Sequence, residues 1–266
     1  MISTALRRTG SGFSPLSLSP KFWIDASDTS TLTLDGSNQV NTWADKSTNA
    51  LSFGKVDSIG PLSNSVTKNG LNTLTWPSTA IRRLWVSGQT YWGDGTKLLV
   101  GFVVRCSTTQ GFRAFAPLAG QRLSLAKQNP SFECVVPGFL GSSGLAVRAR
   151  YGTGSSTWAV DNLSSTSYST TAWHVLTFIV DPANGTAANR SYSYVDGGAA
   201  IQNNTYTNAL SGSTQSAVFV GGDNWPDEGM HYDECLAEAI CVAGANATEA
   251  NRQSLRDYLN TKWAVY

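Results

Sequence analysis

Lys97-Leu-Leu-Val-Gly-Phe-Val-Val-Arg-Cys106 and Trp173-His-Val-Leu-Thr-Phe-Ile-Val180 decide the fold class. Both runs are apolar on alternate and intervening positions, which is the pattern of a strand covered on both sides. The second run closes on Asp181-Pro-Ala-Asn-Gly185, a dense turn signal. Working outward, Leu145–Tyr151 alternates over its second half. Arg190 to Val195 alternates again and turns at Asp196-Gly-Gly198, Ala217-Val-Phe-Val-Gly-Gly222 is a strand ended by glycines, and His231 to Val242 is the last long strand. Upstream lie Phe22-Trp-Ile24, a short apolar strand, and the Asp35-Gly36 turn. One helix follows the strands, from about Thr248 to Trp263. Thr248 or Asn246 serves as its N-cap, and Leu255, Tyr258, Leu259 and Lys262–Trp263 form one stripe. The expected seat of that helix is an edge or a rim of the β body.

The two ends of the chain carry a resemblance. Near the start reads Lys21-Phe-Trp-Ile-Asp-Ala-Ser-Asp-Thr-Ser-Thr-Leu32, then Val40-Asn-Thr-Trp-Ala-Asp-Lys-Ser-Thr-Asn49. Near the end reads Leu236-Ala-Glu-Ala-Ile-Cys-Val242, then Arg252-Gln-Ser-Leu-Arg-Asp-Tyr-Leu-Asn-Thr-Lys-Trp263. With Trp173-His174 and Tyr192-Ser-Tyr-Val-Asp-Gly197 between them, these stretches resemble concanavalin A-like (laminin-G-like) jelly-roll domains, in the form found in bacteriophage virion proteins. The resemblance implies an all-β, antiparallel two-sheet sandwich over residues 21–266, and it places Trp23, Trp43, Trp173 and Trp263 in the framework. A fold of this kind hosts many functions, so activity has to be read from residues.

Composition bounds the rest. The chain has 266 residues, 41% hydrophobic and only 14% charged, enough apolar side chains for one large β domain. There is no run of about 18 apolar residues and no apolar leader at the N-terminus, so a soluble, cytoplasmically made protein is expected. The four cysteines show no C-x-x-C spacing, and Cys235 and Cys241 are expected as free thiols on one face of a strand. No basic helix or RNA-binding signature points to nucleic acid. The net charge of +1 hides a split. Ser191 to Asn251 holds no Lys or Arg but eight acids, whereas residues 1–190 carry 16 basic and 9 acidic groups. That asymmetry either guides a partner or is mixed when strands interleave.

Residues 1–20 are rich in Ser, Thr and Gly, with Arg7 and Arg8 and no acid. They are read as an extended arm, either frayed or docking on another particle subunit.

A catalytic set is hard to assemble. Glucan hydrolases of this fold carry Glu-x-Asp-x-(x)-Glu on one strand, and the nearest stretch is Glu234-Cys-Leu-Ala-Glu238. Period-two geometry puts Glu234, Leu236 and Glu238 on one face, with an apolar residue where the central Asp belongs. His174, inside an apolar strand, is expected to make a structural hydrogen bond. No catalytic residue is assigned.

Sugar binding needs exposed rings beside polar partners. Tyr91, Trp92 and Asp94 in one glycine-rich loop, and Asp223, Trp225 and Asp227 in another, are the carbohydrate-binding candidates. Asp223, Asp227, Glu228 and Asp233 fit no EF-hand spacing, so no metal or other cofactor is assigned. The resulting expectation is a non-enzymatic virion protein, decorating a capsid or associated with a tail. Its expected partners are other virion proteins, with a host-surface glycan and self-association as further ones. A stand-alone carbohydrate-binding module is the alternative, and a degenerate glucan hydrolase comes third.

Overall fold

A computed structural model describes residues 12–77, 82–87, 96–105, 131–135, 148–152, 158–163, 169, 171–207, 217–221 and 234–266. Among them are fifteen strands and one α-helix. The strands are β1 (Phe22–Asp25), β2 (Leu32–Leu34), β3 (Val40–Ala44), β4 (Ser52–Lys55), β5 (Leu62–Lys68), β6 (Leu71–Trp76), β7 (Leu84–Ser87), β8 (Leu98–Arg105), β9 (Ser131–Val135), β10 (Arg148–Gly152), β11 (Trp158–Leu163), β12 (Trp173–Val180), β13 (Ser191–Val195), β14 (Ala217–Val220) and β15 (Glu234–Ala243), and the helix is α1 (Glu249–Trp263).

Every registered pair is antiparallel. One large sheet runs β13-β12-β8-β15-β6-β5, with β1 also paired to β15, and the other runs β14-β7-β4-β3-β2. A smaller β11-β10-β9 sheet touches β13. The two large sheets enclose one core in which Phe22, Ile24, Phe102, Phe178 and Leu236 meet Trp43, Phe53, Leu84 and Val218. This is the sandwich that the sequence indicates.

Alternation explains why β8 and β12 read as apolar throughout. Val100, Phe102 and Val104 point between the sheets, while Leu99 and Val103 belong to a second cluster with Leu255, Leu259 and Trp263 of α1. The helix therefore lies across β8 and β12, in the middle of the sheet's outer face, rather than at an edge or rim. The apolar outer face of these central strands gives the helical stripe its partner. Gly101 makes the close approach possible, because a Cβ there would sit 2.9 Å from Leu255 Cδ2. Thr248 caps α1 by accepting the Asn251 N–H at 3.2 Å.

Strand β15 departs from simple alternation. Its register against β8 shifts between Leu236 and Glu238, so a bulge at Ala237 opposes two residues to one. Leu236 faces the inter-sheet core, whereas Ala237 joins the helix-side cluster and Glu238 also turns toward α1. The period-two placement of Leu236 and Glu238 on one face is thereby corrected, and so is that of the two cysteines. Cys241 lies in the inter-sheet core, and Cys235 sits on the opposite face beside Arg105 Nη2 at 3.4 Å. Both are buried free thiols.

Residues 13–20 lie on this same domain. Pro15–Leu18 form a 3₁₀ turn, Leu18 is buried under the helix-side cluster, Phe13 meets the Tyr258 ring at 5.9 Å, and Asn246 Nδ2 donates to the Leu18 carbonyl at 3.1 Å. The arm's Arg7 and Arg8 lie outside the described residues.

Candidate functional site: a neutral polar cleft at the sandwich edge

Strand β5 ends one large sheet and β2 ends the other, on the same side of the sandwich. Their turns meet. Asp35 Oδ1 accepts the N–H groups of Ser37 and Gln39 at 2.8 and 2.9 Å, which shapes the β2–β3 connection. The Asn38 carbonyl then accepts the Ser63 N–H at 2.9 Å, and Val40 N–H donates to the Pro61 carbonyl at 2.8 Å. Gly60 lets these chains touch, since a Cβ there would fall 2.0 Å from the Val40 oxygen.

Between the two edges opens a cleft of about 480 Å³, lined by Ser27, Thr29, Leu34, Asn38, Ser63, Asn64, Gly70, Leu71 and Asn72. Its floor is fixed: Asn72 Nδ2 donates to the Ala26 carbonyl at 2.8 Å and to Ser63 Oγ at 3.1 Å. Its rim carries two exposed asparagines with left-handed backbone, Asn38 at φ 59° and Asn64 at φ 61°. Asn64 opens a stretch of β5 that falls out of register with β6 between Ser63 and Thr67, and such bulges gather beside functional sites. The β5–β6 hairpin turns on Asn69-Gly70, at φ 52° and 72°.

Of the two carboxylates that sequence spacing placed on one strand face, the Glu234 side chain lies outside the described residues, and Glu238 does other work. Glu238 is fully buried and accepts from Trp23 Nε1 at 2.6 Å, Trp263 Nε1 at 2.7 Å, Lys262 Nζ at 2.8 Å and Tyr258 Oη at 2.9 Å. Burial, and then the Asp25 charge, push its carboxyl above the ordinary range. Burial and the neighbouring Glu238 likewise raise the Tyr258 phenol. Lys262 also reaches Asp25 Oδ1 at 2.7 Å, and Lys46 bridges Asp25 and Asp28 at 2.9 Å each. Four donors on a sealed carboxylate make a clasp between sheet and helix.

His174 also has a structural place. Its Nδ1 faces Asp196 Oδ2 at 2.9 Å, its Nε2 faces the Ser169 carbonyl at 3.0 Å, and Asp196 Oδ1 accepts the Val175 N–H at 2.8 Å. The tryptophan–histidine strand and the aspartate–glycine turn are thus tied together.

Tyr91, Trp92, Asp94, Asp223, Trp225 and Asp227 lie outside the described residues, as do the acids Glu228 and Asp233. Among the described residues no group of acids, His and Cys is placed to hold a metal ion. Sequence reasoning missed the cleft. The Asn69-Gly70 pair was a readable hairpin signal, but Asn38, Ser63 and Asn72 look like ordinary turn and edge residues until the two sheet edges are brought together.

No protein-family model matches the sequence, and a comparison with curated proteins finds no match. Solved structures do match. Domain 4 of AbnA, a GH43 extracellular arabinanase from Geobacillus stearothermophilus determined in complex with arabinotriose, aligns over 89% of this chain and 98% of its own, with 14% identity and a TM-score of 0.56. The binding domain of botulinum neurotoxin serotype D aligns over 91% of this chain with 11% identity and a TM-score of 0.57. That of Paraclostridial Mosquitocidal Protein 1 covers 90% with 12% identity and a TM-score of 0.53. The fold is an antiparallel two-sheet β-sandwich of the jelly-roll kind. Against the two toxin binding domains the chain spans about half their length, 53% and 52%.

Proposed function

We propose that this chain is a non-catalytic carbohydrate-binding module of lectin-like fold. The observation that carries the reading is the edge cleft, where amide and hydroxyl groups converge on an open space of a size suited to a small ligand. Sugar hydroxyls both donate and accept, and so do primary amides. The arabinotriose complex of AbnA domain 4 supports the reading by analogy of fold. The absence of catalysis is part of the proposal: Glu238, one of the two glutamates nearest a hydrolase pattern, is closed off from solvent by four donors.

A glycan array with the full chain is the test. Concentration-dependent signal on at least one glycan class is expected, together with no release of reducing sugar from β-glucan. Silence across the array would remove the proposal. Reducing sugar released by the intact chain but not by Glu234→Gln would replace it with a hydrolase.

A virion setting, with other virion proteins as partners, rests on the sequence resemblance and belongs to the same proposal as the place of display. Because residues 13–20 pack on the domain, deletion of residues 2–11 tests particle attachment without stripping Leu18 from its seat.

A further inference from the structure

We infer that the edge cleft selects a short, uncharged oligosaccharide and rejects sialylated, uronic or phosphorylated sugars. This deepens the carbohydrate-binding reading and rests on it. None of the nine lining residues is ionisable. The neighbouring acids are already engaged: Asp35 holds its own turn, while Asp25 and Asp28 are paired with Lys46. An anionic sugar would therefore meet no cation in the lining, and Lys46, the cation beside Asp28, is already held by Asp25 and Asp28. The sugar's lost hydration would go uncompensated wherever water is displaced.

What the cleft does offer is matched to hydroxyl groups. The Asn38 and Asn64 side-chain amides make no hydrogen bond among the described residues, so each has an acceptor oxygen and two N–H donors to give. Their backbones are set by left-handed conformations that asparagine tolerates, and the two segments are joined by the Ser63 N–H to Asn38 carbonyl bond. Two free amides, one on the β2–β3 turn and one on the irregular stretch of β5, above a floor fixed by Asn72 and Ser63, suit neighbouring hydroxyls on one sugar ring or on adjacent rings. Leu34 and Leu71 add apolar surface for ring C–H groups. At about 480 Å³ the space lies within the usual range of small-ligand sites, roughly 300–1,000 Å³, and takes a short segment rather than a long chain.

The experiment compares the full chain with Asn38→Gly, Asn64→Gly and the double variant, because glycine keeps the positive φ and removes only the amide. Thr29→Val serves as an independent variant in the same lining. The probes are neutral gluco-, galacto-, manno- and arabino-oligosaccharides beside sialyllactose, oligogalacturonate and phosphorylated mannose, with circular dichroism confirming that each variant folds.

The expected result is binding confined to neutral probes, weakened about tenfold or more in the double variant and measurably in Thr29→Val. Binding to acidic probes that the same variants abolish would overturn the ligand class while leaving the carbohydrate reading intact. Neutral-glycan binding that the variants leave untouched would overturn the cleft as the site, again sparing the broader reading. No binding to any probe would overturn both.

Discussion

Asp25 on β1 and Glu238 on β15 are directly opposed cross-strand partners, and the Lys262 ammonium of α1 lies between their carboxylates, 2.7 Å from one and 2.8 Å from the other. Like charges in that register repel one another. The helix therefore brings the cation that allows the strand pair to keep both acids under the sheet's outer face. Trp23, Tyr258 and Trp263 complete the shell, so that sheet and helix share one polar joint inside an apolar seam.

Lys262→Met is expected to destabilise the fold strongly. It leaves Glu238 buried opposite Asp25 with no cation between them, and breaking a buried pair in this way costs about 3–5 kcal/mol. Urea unfolding followed by tryptophan fluorescence measures the loss. The double variant Lys262→Met with Glu238→Gln should recover part of it, since the stranded charge is gone. Equal losses in the single and double variants would show that the joint contributes packing alone.

The same joint sets a pH dependence with two opposite signs. Burial and Asp25 hold Glu238 above its usual value, so its contribution to stability is complete below about pH 4.5 and is lost as pH rises through the raised folded value. For Asp25, burial pushes upward but the Lys262 and Lys46 ammoniums more than offset it, leaving the carboxyl low. Its contribution is present above about pH 3.8 and is lost as pH falls through the depressed value. Chemical denaturation between about pH 3 and pH 8 should show the wild-type advantage over Glu238→Gln shrinking as pH rises. The advantage over Asp25→Asn should shrink on acidification. A pH-independent difference for both variants would contradict the assignment.

Gly101→Ala tests the seat of the helix. A Cβ at this position would lie 2.9 Å from Leu255 Cδ2 and 3.2 Å from Leu259 Cδ1, so α1 has to move outward or its leucines must leave their rotamers. Overpacking of this kind costs about 1–3 kcal/mol. The thermal midpoint should fall, and hydrogen exchange should quicken in α1 before it does in β3 or β4. An unchanged midpoint would mean that the helix is more loosely held than the cluster of Leu255, Leu259 and Trp263 implies.

The fold was legible where period and composition agree. The doubly apolar β8 and β12, the Asp35-Gly36 turn, and the Thr248 cap with its helical stripe all stand where the sequence puts them. Three features were not legible, each for a physical reason. The Ala237 bulge leaves no mark on the pattern Leu236-Ala-Glu-Ala-Ile240, because small residues suit either face; one extra residue then reverses the reading of Glu238 and of the two cysteines. The helix's central seat depends on which strands end up neighbours, and that is a long-range property. The cleft joins Ser27 and Asn38 from separate turns with Asn64 from strand β5, and no local pattern ties them. The charge split is partly resolved inside the fold, where two of the eight acids of the basic-poor stretch, Glu238 and Glu249, meet Lys262 and Arg252.

Thiol labelling reads the core directly. Burial pushes the Cys241 thiol up to about 12, and the thiolate is the reactive form, so the folded protein should leave Cys241 unmodified by iodoacetamide at about pH 8. Cys235, equally buried on the other face of β15, should be protected as well. Peptide mapping by mass spectrometry separates these two sites from the remaining cysteines. Both should label fully in urea. Because Cys241 sits between the sheets and Cys235 on the outer face, Lys262→Met should accelerate labelling at Cys235 first if the joint fails locally, and at both together if the sandwich opens as a unit. Rapid native labelling of Cys241 would mean that the two sheets do not enclose it.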